Sequence, residues 1–175
     1  PSRMTWYSSI ALRKTWDRIK NSRGRDGRRN PSVGLDGVTA EKFDAQLKQN
    51  IAEIQRLLSR ADSNDPDFPA YRFAPFRSKT ISREPGKLRQ IHIPRIRDQV
   101  VLRAISDEIT RVVSKSYPDF LKTSPRNAVK QVIHGRESGK LQVLRADVNK
   151  YYPSIPHPLM LKTLADFQVD PRGIR

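Results

Sequence analysis

The sequence predicts an α+β chain: helices joined by one antiparallel β-hairpin, with a further short strand and helix near the C-terminus. Three observations carry this. Apolar residues recur at helical spacing in several segments, extended-looking stretches flank a turn sequence at 84–87, and a short apolar run at 141–148 ends in an aspartate.

Taking the elements in order, Trp6, Ile10, Leu12, Trp16 and Ile19 predict an amphipathic helix from Ser2 to about Asn21, with Arg13, Lys14, Arg18 and Lys20 interleaved. The glycine- and arginine-rich stretch from Asn21 to Pro31 cannot pack a core and reads as a basic loop able to order on nucleic acid. Gly34-Leu-Asp-Gly-Val38 is a compact turn. Thr39 follows as an N-cap, and Phe43, Leu47, Ile51, Ile54, Leu57 and Leu58 predict one helix to about Arg60. The stretch from Asp62 to Pro69 breaks it.

From Tyr71 to Pro94 the pattern becomes extended on either side of Glu84-Pro-Gly-Lys87, where Pro85 presets φ and Gly86 can supply a positive φ. The prediction is a hairpin with an arginine-rich face. A helix follows from Ile96 through Val113 and ends before Pro118; another covers Pro125 to His134. Leu141 to Val148 reads as a strand delivering Asp147, and Pro156 opens a last helix through Leu164.

Charge narrows the function. The chain of 175 residues carries 34 Lys+Arg against 18 Asp+Glu, a formal net charge of +16. Such self-repulsion is tolerated when a polyanion neutralises it, which makes nucleic acid the leading partner and a basic protein of a membrane or ribosome surface the bland alternative. The basic residues are mostly arginine, whose planar fork suits bidentate phosphate contacts. No apolar run reaches membrane-spanning length and nothing reads as a signal peptide, so no membrane partner is expected. The absence of cysteine removes disulfides and zinc-thiolate sites and fits a reducing compartment, here expected to be a bacterial cytoplasm. The three histidines share no ligand spacing, and no phosphate-binding glycine loop is present.

Two constellations could carry chemistry. Asp147 at a strand end, followed by Tyr151 and Tyr152, suits a divalent cation, which takes hard oxygen ligands; an ordinary strand-terminal turn cap is the competing reading. Between Arg72 and Arg103 nine basic residues stand against two acids, Glu84 and Asp98, and they alternate with apolar positions. Alternation places several cations on one side of a ribbon, where a triphosphate or a nucleic-acid backbone fits. Otherwise the run is a solvated face.

Three blocks now carry a resemblance: Gly34-Leu-Asp-Gly-Val38; Gly86-Lys-Leu-Arg89 running on through Pro94, Arg97, Asp98 and Gln99; and Asp147-Val-Asn-Lys-Tyr-Tyr152-Pro-Ser-Ile. In this order they resemble bacterial reverse transcriptases, of the kind found in group II introns, retrons and phage-defence systems. The resemblance implies helical fingers with a β-hairpin, then the first strand and helix of a polymerase palm. The implied division is a basic helix and flexible loop over 1–33, fingers over 34–140, and the start of the palm over 141–175.

It implies roles as well. Asp147 matches the first metal-binding aspartate, with the Val148 carbonyl as a second ligand to magnesium or manganese. Tyr152 matches the aromatic under the incoming sugar, against a reading as a core aromatic beside Tyr151. Arg83 and Arg89 match fingers residues gripping the incoming triphosphate; arginine stands at 83 where the family more often has lysine. Lys79, Lys87, Arg95 and Arg97 are candidates for nucleic acid, and Arg95 and Arg97 serve equally well as helix N-terminal structure. The implied partners are an RNA template, a DNA or RNA primer and dNTPs.

The family's second catalytic motif, a pair of adjacent aspartates, is absent from this sequence. The rest of the palm and the thumb are therefore expected from the same parent chain, with these residues alone binding but not polymerising. An RNA-binding, maturase-type scaffold without polymerase activity is the alternative, and an RNA-templated RNA polymerase a third, against which the bulk of Tyr152 argues.

Overall fold

The computed structural model describes residues 5–22, 32–60, 71–84, 87–116, 125–139, 142 and 151–170. They form an α+β fold of helices and one two-stranded antiparallel sheet. The chain divides into two compact units, Pro1–Asp107 and Glu108–Arg175.

In the first unit, α1 spans Ser9–Asn21. It starts later than the expected Ser2 because Ser8 caps it: the Ser8 hydroxyl accepts from the Ala11 amide at 3.3 Å, and the preceding turn is closed by the Ser8 amide on the Thr5 carbonyl at 3.0 Å. Trp6 and Tyr7 therefore precede the helix and meet edge-to-face, 5.4 Å between centroids. Leu12, Thr15 and Trp16 form the buried face.

The single helix expected from Thr39 to Arg60 is two. Thr39 caps α2, Ala40–Ala45, accepting from the Lys42 amide. The chain leaves helical geometry at Gln46 (φ −119°, ψ 27°), and α3 runs Leu47–Ser59. The break is held by Asn50, whose side-chain amide donates to the Phe43 carbonyl at 3.0 Å and so satisfies the end of α2. Phe43, Ile51, Ile54 and Leu58 pack with Leu12 and Trp16, the Trp16 and Phe43 rings lying 4.7 Å apart. Ile96, Val100, Val101 and Ala104 of α4 (Ile96–Ser116) complete this core. Each large side chain so buried contributes roughly 1.5–3 kcal/mol. Because α1 shares this core, residues 5–22 and 34–60 belong to one unit.

The ribbon pairs β1, Arg77–Glu84, with β2, Lys87–Ile93. Tyr71 and Phe73, expected in the first strand, lie in irregular chain before it. Their alternation mimics a strand, but the Tyr71 hydroxyl is engaged by Asp98 (below), and the two rings pack on one another, 5.3 Å between centroids.

In the second unit, α5 spans Pro125–Glu137, one turn beyond His134, and Gly139 follows it at φ +82°. A four-residue helix α6, Tyr151–Ser154, precedes α7, His157–Asp166, for which Pro156 is the N-cap. Helix α7 ends in a Schellman arrangement: the Val169 amide donates to the Leu164 carbonyl at 3.1 Å and the Gln168 amide to the Ala165 carbonyl at 2.8 Å. Gln168 holds the left-handed position, φ +55°, that glycine usually takes. The strand expected over 141–148 lies outside the described residues apart from Gln142, which is in neither helix nor strand.

Candidate nucleic-acid interface

The ribbon's register decides which side chains share a face. Arg77 pairs with Ile93, Lys79 with Ile91, and Ile81 with Arg89; between them Ser78 pairs with His92, Thr80 with Gln90, and Ser82 with Leu88. Since strand side chains alternate, Arg77, Lys79 and Arg89 lie on one face, each directly opposite an isoleucine. The other face carries hydroxyls, an amide, an imidazole and Leu88 but no lysine, arginine or acid along its three pairs. The two faces thus differ in kind, and the cations collect on one.

Lys79 and Arg89 are exposed on that face, whereas Ile93 is buried at its base. The Nε of Arg77 is buried and has no hydrogen-bond partner among the described residues. On the opposite face the Ser78 hydroxyl and His92 Nδ1 lie 3.1 Å apart. The register shifts between Ser82 and Glu84, leaving Arg83 as the extra residue of a bulge. The side chains of Arg83 and Lys87 lie outside the described residues.

The base of the ribbon is fixed by one buried carboxylate. Asp98 is fully buried and accepts three hydrogen bonds: from the Tyr71 hydroxyl at 2.6 Å, the Ala74 amide at 3.2 Å and Arg95 Nε at 3.0 Å. Burial first, then the hydrogen bond to Asp98, pushes the Tyr71 phenol far above its ordinary value, so it remains a donor throughout the usual pH range. Arg95 also donates to the Arg72 carbonyl at 3.4 Å. The side-chain amide of Gln99 bridges the Ser32 carbonyl at 2.7 Å and the Pro94 carbonyl at 2.8 Å. Two of the sequence blocks therefore meet: the turn at Gly34, with Gly37 in left-handed geometry at φ +67°, and the start of α4.

Of the two roles left open for Arg95, the helix N-terminus supplies its visible contacts. Arg97 is half-buried and close enough to α3 to help hold Glu53 below the usual carboxylate range, after the larger effect of the Arg56 hydrogen bond. Asp98 and Gln99 were legible as members of the second block, but with no role assigned to either. A carboxylate one helical turn after Arg95, in a block that starts a helix, is the signal that could have marked Asp98 as a staple rather than a surface charge.

Tyr152 belongs to the second unit. It stands on α6 with 81% of its surface exposed, its ring 5.2 Å from that of Tyr151 and roughly perpendicular to it. It is therefore no core aromatic within its unit. Asp147 and Val148 lie outside the described residues, and among those described no group of three or more acids, histidines or cysteines is gathered for a metal. No described helix is long and apolar enough to cross a membrane.

Comparison with protein-family models, curated proteins and solved structures returns no match for this chain.

Proposed function

We propose that this chain is the fingers and the opening of the palm of an RNA-directed DNA polymerase, and that its β1–β2 ribbon grips phosphates of nucleic acid or of an incoming dNTP. The single observation carrying the reading is the segregation of Arg77, Lys79 and Arg89 onto one face of the ribbon. A merely solvated ribbon gains nothing from collecting like charges on one side, which repel one another. A polyphosphate relieves that repulsion and replaces solvent counterions. The resemblance over the three blocks supplies the reaction class.

Within this reading Arg89 and Arg83 hold the triphosphate, Lys79 and Lys87 meet backbone phosphate, and Arg95 and Arg97 either meet the template backbone or serve the N-terminal structure of α4, where Arg95 makes its contacts. Tyr152 packs under the sugar and crowds a 2′-hydroxyl. Asp147 and the Val148 carbonyl are hard oxygen donors of the kind magnesium takes; when bound, the ion neutralises charge on the reacting phosphates. The chain's own contribution is positioning and charge neutralisation rather than a nucleophile.

The test is primer extension by the full-length protein. Asp147→Ala abolishes extension while leaving template-primer affinity within about twofold, a change under 0.5 kcal/mol. Extension that survives this substitution removes the polymerase reading. Binding by a full-length protein that never extends a primer identifies an RNA-binding scaffold instead.

A further inference from the structure

The groove between α1 and α3 lies in the first unit, away from the ribbon's paired strands, and the polymerase reading leaves it without a role. Its volume is about 1000 Å³. On α3 it is lined by Leu47, Ile51 and Gln55, one row of residues four apart, and beside them by Lys48 and Ala52. On α1 it is lined by Ser9, Ile10 and Arg13. Rows of this spacing are the ridges into which a third helix packs.

The chemistry of the lining is uneven. Its floor is aliphatic: Ile51 is buried, Leu47 half-buried, and Ile10 is left 54% exposed although it sits on the first turn of a helix whose next turns bury Leu12 and Trp16. Gln46, Gln49 and Gln55 also line it. The charged residues are Arg13, Lys48 and Asp44. Asp44 is already spent, one oxygen accepting from Trp16 Nε1 at 2.7 Å and the other paired with Lys20. The two cations remain exposed.

We infer that this groove docks an amphipathic helix of a protein partner, apolar along one stripe and carrying carboxylates on the flanks that meet Arg13 and Lys48. Complementary charge selects the occupant. A second copy of a chain with net charge +16 is repelled. RNA satisfies the cations but leaves the aliphatic floor uncovered, because the groove offers no aromatic ring on which a base can stack. An acidic amphipathic helix covers both, in the helix-in-groove mode.

The probe is a synthetic helical peptide of about three turns, with leucines at i, i+3, i+4 and i+7 and glutamates on the flanks. Its controls are a scrambled peptide of equal charge and a uridine oligonucleotide of equal charge. The readouts are fluorescence anisotropy and backbone NMR shifts of the full chain. The designed peptide perturbs the amides of Ile10, Leu47 and Ala52. Its affinity falls by at least about tenfold in Ile10→Glu, and likewise in Ala52→Trp, which fills the groove from an exposed position. Circular dichroism verifies that both variants stay folded. If the scrambled peptide binds as well, if neither substitution weakens the designed peptide, or if the oligonucleotide displaces it from these same amides, the proposal is wrong.

Discussion

Gly34 and Arg95 are in backbone contact across 61 positions of sequence: a Cβ placed on Gly34 would stand 2.7 Å from the Arg95 amide nitrogen. The neighbour is main chain at the start of α4, so no side-chain rotation can relieve the clash. Gly34→Ala is expected to destabilise the first unit by about 3 kcal/mol, toward the upper end for overpacking. Urea unfolding measures it. A change under about 0.5 kcal/mol would show that the turn and the helix are not held together as described.

Asp98 and Tyr71 predict an ordered pair of losses. Removing the carboxylate in Asp98→Ala strips Tyr71, the Ala74 amide and Arg95 of their acceptor together. The expected cost is about 3–5 kcal/mol, the range for breaking a buried ion pair. Tyr71→Phe removes one donor and leaves two, for about 1–3 kcal/mol. Thermal unfolding of both variants checks the order, and equal losses would contradict it.

Asp44 is one of the carboxylates on which the acid limb of stability depends. The hydrogen bond from Lys20 holds it below its ordinary value of 3.8, helped by Trp16 and by the Lys20 charge, against the opposing effect of burial. A depressed folded-state value means the contribution is complete above pH 3.8 and is lost as pH falls through the lower folded value. Asp44→Asn should cost about 1 kcal/mol at neutral pH, a small figure because the pair is partly solvated, and should flatten the decline below pH 4. The measurement is urea unfolding from pH 2 to 7.

The two ribbon faces predict opposite responses to substitution. Lys79→Ala and Arg89→Ala should each weaken RNA binding and lower the slope of log affinity against log salt by about 0.7. Thr80→Ala, on the uncharged face, should leave the slope unchanged. Anisotropy at several salt concentrations distinguishes them; equal effects from both faces would remove the phosphate role of the ribbon.

Much of the architecture was legible because periodicity and caps are local. Thr39 as a cap, the turn at Gly34–Val38, the antiparallel pairing of β1 with β2 and the α4 core positions all follow from short-range rules. What escaped was decided at longer range or by single contacts. The pattern Phe43, Leu47, Ile51 runs at helical spacing straight through the break at Gln46, which rests on one amide from Asn50. The bulge at Arg83 leaves no mark on composition, and slipping by one residue there changes which way every later side chain faces. Tyr71 looks like a strand residue until its partner 27 positions away is known. At the candidate site the cationic face was legible from alternation, whereas the role of Asp98 depends on groups far along the chain.

The pairing of Arg77, Lys79 and Arg89 with isoleucines has a thermodynamic corollary. Asp98 is committed to Arg95, and among the described side chains Arg77, Lys79 and Arg89 form no ion pair. Anions of the surrounding solution are thus the natural counterions of these three side chains. Multivalent anions should slow amide exchange along β1 and β2 more than chloride of equal ionic strength does, before any polymer is added.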